Sequence, residues 1–251
     1  PFTSQLTKKQ VNQIMERAVL QSERYRALKA AGASDEEIHR SFHTPTEMTL
    51  FTYHGDIDTM MAPIDSIRYV KSYLRAGFMS MDPKTGAVKA YVGGLDYTHF
   101  MYDMVTGGRR QVGSTIKPFL YALAMENGFT PCSMAPNVQQ TYTVGNQTWT
   151  PRNTNRKRYG EMVTLKWGLA QSNNWISAYL MSKLNPQQFV TKLHEFGIDN
   201  PEIVPSMALC LGPCEVSVAE MVSAYTTFVN KGIRSAPMFV SRIEDNEGNV
   251  I

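Results

Sequence analysis

The sequence predicts an α+β fold. Three observations predict it: a strand–turn–strand unit at 77–92, a mainly helical stretch from Ser114 to Gly232, and a strand-like run closing the chain. In the first unit, Gly77-Phe-Met-Ser-Met81 and Ala87-Val-Lys-Ala-Tyr-Val92 flank Asp82-Pro-Lys-Thr-Gly86, whose Asp-Pro start and closing Gly read as a turn. Val88, Ala90 and Val92 alternate with Lys89 and Tyr91, which predicts a sheet buried more on one face. At the other end, Met238–Ile243, a turn at Asp245–Gly248 and Val250-Ile251 predict a second hairpin.

Ahead of these lies a helical segment. Thr7 and Gln10 are spaced as a capping box, with Leu6 placed to staple onto Val11. Val11, Ile14, Met15, Ala18, Tyr25 and Leu28 follow one helical stripe, which Gly32 ends. Ser34 and Glu37 repeat the box for a short second helix. Glu47–Tyr53 reads as a strand broken by Gly55, and Asp65–Leu74 as a helix. In the later helical stretch, helices are expected from near Ser114, over Thr164–Gln171, over Asn174–Leu184, and from Ser217 to about Asn230.

Composition excludes several classes. The 43% apolar and 19% charged content suits an ordinary globular protein, and 251 residues allow one large domain with an appendage. A net charge of +3 is too small to argue for nucleic acid, yet would not repel an anionic polymer. No apolar run approaches the roughly 18–20 residues of a membrane span. A chain opening on Pro-Phe-Thr-Ser, with no initiator Met or signal peptide, reads as a piece of something longer. Cys132, Cys210 and Cys214 are too few for a disulfide scaffold. Cys210 and Cys214 flank Gly212-Pro213, which fits either a local bridge or two buried free thiols, and with no His nearby no metal or other cofactor is implied.

The chemistry-bearing segment is Arg109-Arg-Gln-Val-Gly-Ser114-Thr-Ile-Lys117-Pro-Phe. Positions i and i+3 share a helix face, so a Lys117 amine is placed to reach a Ser114 hydroxyl. Gly113 frees the backbone to turn sharply before the helix. Ser114 then falls in the first turn, where unpaired N–H groups and the helix dipole favour an oxyanion. A serine needs a base beside it, and a lysine serving at neutral pH must drop roughly 3 units, about 4 kcal/mol, which burial beside another cation supplies. Alone, this tetrapeptide is equally the pattern of a helix cap and a surface lysine. Downstream, Ala170-Gln-Ser172-Asn-Asn174 places a hydroxyl and an amide at a helix–helix junction, suited to relaying a proton and holding a substrate carbonyl, or simply to capping.

S-x-x-K followed by S-x-N resembles the penicilloyl-serine transferases. The chain is most similar to the transpeptidase domain of class A penicillin-binding proteins. The likeness runs in order through Met81-Asp-Pro-Lys-Thr-Gly-Ala-Val, Val92-Gly-Gly, Arg110-Gln-Val-Gly-Ser-Thr-Ile-Lys-Pro-Phe, Trp149-Thr-Pro-Arg-Asn, Ala170-Gln-Ser-Asn-Asn, Cys210-Leu-Gly and Glu220-Met-Val-Ser-Ala-Tyr. The resemblance implies the serine β-lactamase/DD-transpeptidase-like fold, a mixed sheet with a helical subdomain. It implies Ser114 as acylated nucleophile, Lys117 as base, Ser172 in proton transfer, and Asn174 and Gly113 at the substrate. Its implied partners are peptidoglycan stem peptides ending in D-Ala-D-Ala and β-lactam antibiotics. It also implies a place at the outer face of the bacterial inner membrane, reached through an N-terminal anchor outside this sequence. Residues 1–76 are expected to be the linker region to a glycosyltransferase domain, and 77–251 the N-terminal and helical part of the transpeptidase domain.

The family's third motif, K-[ST]-G, follows S-x-N on a later strand. The one Lys-Thr-Gly here, Lys84-Thr85-Gly86, precedes the serine and lies in the expected turn; no other follows Asn174. The domain is therefore expected to lack its later strands, and the 251 residues alone to have little or no activity. Rival readings are a β-lactamase or β-lactam sensor on the same fold, a non-catalytic scaffold, and a plain helical interaction domain.

Overall fold

In the computed structural model, which describes residues 6–144 and 147–251, both capping boxes form at the expected residues. Packing divides the chain into two units, Pro1–Arg75 and Ala76–Ile251. The first holds α1 (Lys8–Gln21), α2 (Glu23–Ala30), α3 (Asp35–His43), the antiparallel strands β1 (Thr46–Leu50) and β2 (Ile57–Met61), and α4 (Pro63–Ser72). The single helix expected up to Gly32 is two. Ser22 is extended (φ −70°, ψ 148°), its Oγ donating to the Val19 carbonyl at 2.7 Å and accepting from the Tyr25 N–H at 3.2 Å. One hydroxyl thus closes α1 and opens α2, the local competition with helix that serine offers. Among the described residues Met15, Ile38, Phe42, Leu50 and Pro63 are this unit's buried apolar side chains.

The second unit opens on the hairpin β3 (Phe78–Met81) and β4 (Val88–Val92). Asp82 Oδ1 accepts from the N–H groups of Lys84 and Thr85, both at 2.9 Å, and Gly86 sits at φ +79°, so Lys-Thr-Gly is a turn as expected. The expected burial of one face of β4 is not found: Val92 is 49% and Phe78 56% exposed. Burial in the hairpin is confined to β3, where Met79 is 5% exposed, and does not extend along a face of β4. The closing hairpin is also reduced. Met238 bridges onto the first one, donating to the Gly86 carbonyl and accepting from the Val88 N–H. Beyond it only a Glu244–Val250 bridge and an Asp245-centred turn form. Phe239, Val240 and Ile243 stay at least 60% exposed; Phe239 sets its ring edge-on to Tyr91 at 5.5 Å, but little burial rewards extending the ladder.

The remaining elements are β5 (Arg109–Gln111), a 3₁₀ turn (Gly113–Ile116), α5 (Lys117–Glu126), β6 (Met134–Pro136), β7 (Tyr142–Val144), β8 (Gln147–Trp149) and β9 (Met162–Thr164). They continue through α6 (Leu165–Ala170), α7 (Asn174–Lys183), α8 (Pro186–Glu195), a second 3₁₀ turn (Met207–Leu211), β10 (Glu215–Ser217) and α9 (Val218–Val229). The short strands pair antiparallel as β5–β10, β6–β9 and β7–β8. Helix α8 is an addition to the sequence reading, although Asn185 caps it, Pro186 opens it and Phe189, Val190 and Leu193 form its buried stripe. Helix α7 buries Trp175, Ile176, Ser177, Ala178, Leu180 and Met181, more than one stripe, and so is central. With α5 it frames the core of Phe119, Leu120, Ile176, Leu180, Met181 and Leu193. Both helices begin at the motifs singled out above.

Candidate active site

The Ser172-Asn-Asn174 tripeptide is the joint between α6 and α7. Gln171 ends α6 and Ser172 follows at φ +49°, with its N–H on the Leu169 carbonyl and the Asn173 N–H on the Gly168 carbonyl, each at 2.9 Å. That is a Schellman closure with serine in the position glycine normally holds. Asn173 then caps α7, its side chain accepting from the N–H groups of Trp175 and Ile176 at 2.9 and 3.2 Å. Capping, the bland reading of this segment, falls to the middle residue. The side chains on either side are left for other partners.

Their shared partner is Lys117. Its ammonium donates to the Ser172 carbonyl at 2.6 Å, to Asn174 Oδ1 at 2.7 Å and to Ser172 Oγ at 3.1 Å. An ammonium has three protons, and all three are used. The side chain is 1% exposed, and burial brings the amine down from its ordinary range to about 8, against a weaker opposing influence from Cys210. Burial causes the shift, as anticipated from the sequence, without a contribution from the cationic neighbour expected beside it. At pH 7 about one lysine in ten is then neutral. The neutral form fits as well. Its two protons satisfy the two carbonyl oxygens, while its lone pair faces the one partner able to reverse its role, the Ser172 hydroxyl.

Asn174 is itself held from behind. Its N–H donates to Asn153 Oδ1 at 3.2 Å and one Nδ2 proton to the Arg152 carbonyl at 2.8 Å, while Trp175 Nε1 donates to the Pro151 carbonyl at 3.1 Å. The second Nδ2 proton is left to donate elsewhere. Asn153 is a positional element that sequence reasoning missed; its only signal was its place in the Trp149-Thr-Pro-Arg-Asn match.

Ser114 lies on the 3₁₀ turn leading into α5, where residues i and i+3 eclipse, so Lys117 stacks over it along the chain. It is exposed, and among the described residues its Oγ makes no hydrogen bond. Gly113 sits at φ +55° and donates its N–H to the Gly212 carbonyl at 3.0 Å, beside a Val112 N–H to Cys214 carbonyl bond of 3.1 Å. Strand β10 thus flanks β5, the strand that leads into the serine's turn, and Gly212 presses on the start of that turn. A Cβ on Gly212 would lie 2.2 Å from the Gly113 oxygen, and Gly212 itself is left-handed at φ +70°. Gly212→Ala is therefore expected to cost about 2 kcal/mol or more, read as a lowered denaturant midpoint. Cys210, in the same loop, is fully buried with its thiol pushed up to about 12 by burial, and all three cysteines are free. Among the described residues no cluster of His, Cys, Asp or Glu can hold a metal ion, and no helix is long and apolar enough to cross a membrane.

Ser172 carries a second prediction. A left-handed non-glycine residue costs about 1–2 kcal/mol. Ser172→Gly is expected to raise the unfolding free energy by about 1 kcal/mol while removing the hydroxyl that faces Lys117. Thermal denaturation beside a reaction assay would show the two moving in opposite directions.

Residues 76–250 match the family model of the penicillin-binding protein transpeptidase domain, and residues 1–74 that of the penicillin-binding protein middle domain. The chain belongs to the class A penicillin-binding proteins. Penicillin-binding protein 2D of Bacillus subtilis is 36% identical over 183 residues, which are 72% of this chain and 26% of that protein. Penicillin-binding protein 1A of Escherichia coli is 33% identical over 180 residues, 71% of this chain and 21% of that protein. The chain thus spans about a quarter of these penicillin-binding proteins. Among solved structures, penicillin-binding protein 1A of Haemophilus influenzae superposes with a TM-score of 0.67 at 32% identity, covering 70% of this chain and 26% of that one. PonA1 of Mycobacterium tuberculosis, solved in complex with penicillin V, covers 96% of this chain and 64% of its own at a TM-score of 0.61; at 23% identity it shows the fold. The α+β serine β-lactamase/DD-transpeptidase fold of these penicillin-binding proteins is the fold of this chain.

Proposed function

We propose that this domain belongs to an enzyme that cross-links peptidoglycan stem peptides by acyl transfer from D-Ala-D-Ala, and that β-lactams acylate the same serine. The observation carrying this reading is Lys117, buried, held on three sides by Ser172 and Asn174, and with its proton affinity lowered to about 8. Ser114 Oγ attacks the carbonyl carbon of the penultimate D-Ala while its proton passes to neutral Lys117, whose lone pair turns from the Ser172 hydroxyl to receive it. The C–N bond then breaks, and the departing amine takes a proton relayed by Ser172. An acceptor amine afterwards attacks the acyl-Ser114 ester and returns the serine. Asn174 uses its spare N–H for the peptide carbonyl, and Gly113 lets the serine turn into the cleft. No cofactor takes part. The first unit serves as the linker region towards a glycosyltransferase domain, and the parent protein works at the outer face of the inner membrane through an anchor outside these residues. No K-[ST]-G follows Asn174, so the 251 residues alone are expected to turn over little or nothing.

Intact-mass measurement after incubation with a reactive penicillin tests this, followed by peptide mapping. Two proteins are compared: the 251-residue chain and a longer form carrying a downstream Lys-Thr-Gly strand. A persistent adduct on Ser114 supports the reading. An adduct that hydrolyses within minutes points to a β-lactamase, and no adduct in either form sinks the proposal.

A further inference from the structure

Between the two side chains that hold Lys117 sits Asn173, 2% exposed, and its amide reaches a second buried amide. Asn173 Nδ2 donates to Asn137 Oδ1 at 2.8 Å, and Asn137 is 0% exposed. Asn137 spends both its own protons on the carbonyls of Lys157 and Arg158, at 2.9 and 2.7 Å. Its backbone continues the β6–β9 ladder, with its N–H on the Glu161 carbonyl and its own carbonyl taking the Gly160 N–H. Each amide can therefore face only one way: turning Asn137 over would set its oxygen against two carbonyls, and turning Asn173 over would uncap α7. The pair is a rigid strut from the 156–160 loop to the middle of the Ser172–Asn174 turn.

The strut bears on a strained residue. Ser172 holds φ +49°, and both its carbonyl and its hydroxyl point at Lys117. A conformation of that cost persists only where its surroundings over-determine it. The Schellman bonds fix Ser172 from the α6 side, and the Asn137–Asn173 bridge fixes it from the other. The same loop reaches Trp175, whose ring meets Tyr159 edge-on at 5.2 Å.

We propose that Asn173 and Asn137 are positioning residues for acyl transfer, a buried amide pair that holds Ser172 and Asn174 in register with Lys117. This rests on the reading under Proposed function and deepens it. Neither residue touches the reacting atoms; both act through the turn.

Asn173→Asp separates the two duties of this side chain. A carboxylate oxygen still caps α7, but the N–H is gone and an oxygen faces Asn137 Oδ1. In the longer form bearing Lys-Thr-Gly, the saturating acylation rate by a reactive penicillin should fall about tenfold to a hundredfold, the scale of a small misplacement. Apparent affinity should change less than twofold; the melting temperature should fall by several degrees, because Asn137 Oδ1 loses its donor, with the protein still folded at the assay temperature. Asn137→Ala should also slow acylation, and the double variant should be no slower than the slower single one, since both act through one bridge. Asn173→Asp acylating at the wild-type rate, or losses that multiply in the double variant, would overturn the inference. Amide hydrogen exchange reads the same strut without chemistry: in Asn173→Asp, Ser172 and Asn174 should exchange faster while Ala178–Met181 in α7 do not. Unchanged exchange at Ser172 and Asn174 refutes the strut even if the wild-type protein takes up no penicillin, whereas absent wild-type acylation alone counts against the functional reading.

Discussion

Ser114→Ala is expected to take up no penicillin at any time or concentration, while the wild-type long form gains one adduct mass per chain. The loss should be complete rather than partial. A methyl group cannot form the acyl ester, and no second activated hydroxyl stands in reserve: among the described residues Ser172 is the one serine whose side chain is bonded to Lys117, and it already serves as its partner. The same substitution should leave folding almost untouched, because Ser114 is exposed and among the described residues its Oγ has no hydrogen bond to lose. An inert protein with an unchanged denaturation curve is the expected pair of results. An adduct surviving at another residue would remove Ser114 from its proposed role.

Lys117→Met should slow acylation about a hundredfold to ten-thousandfold, the usual contribution of a positioned base. Methionine keeps the length and apolar stem of a side chain that is 1% exposed, so the core stays filled. Stability is a balance of two terms. Relief from burying a cation offsets the two carbonyl acceptors, Ser172 O and Asn174 Oδ1, left without a donor at about 1–3 kcal/mol each. The diagnostic result is the pH profile. The reactive form of Lys117 is the neutral one, so wild-type acylation should rise with pH and level off above about 8. The methionine variant should show no step there. A wild-type rate flat from pH 6 to 9 would place the base elsewhere.

What could be read in the sequence was what is local. Thr7 with Gln10 and Ser34 with Glu37 bind partners three residues away, and both boxes form. Asp82 folds the Lys84-Thr85-Gly86 turn through its own neighbours, which is why that tripeptide was separable from the motif it imitates. The site's central contact is of another kind. Lys117 and Ser172 are 55 positions apart, and Asn137 and Asn173 are 36 apart. No periodicity encodes such distances. The first pair was named because two motifs occur together in one family, and the second had no signal at all. The errors also have local causes. Ser22 splits a helix whose apolar stripe runs straight through it, and the closing segment has the composition of a hairpin but pairs only through single bridges at Met238 and at Glu244–Val250, with its apolar side chains largely exposed. Helix α8 was legible in Asn185-Pro186 and its stripe, but it lay between stronger patterns.

The left-handed backbone at Ser172 also bears on how such a protein can drift. In a lineage selected only to remain folded, glycine is the residue that joint between α6 and α7 favours, and a single step reaches it. A copy released from its duties should therefore decay there early, growing more robust as it falls silent. The serine in this chain stands against that gradient, so a ruined descendant is more readily recognised by a glycine at this joint than by damage to its core.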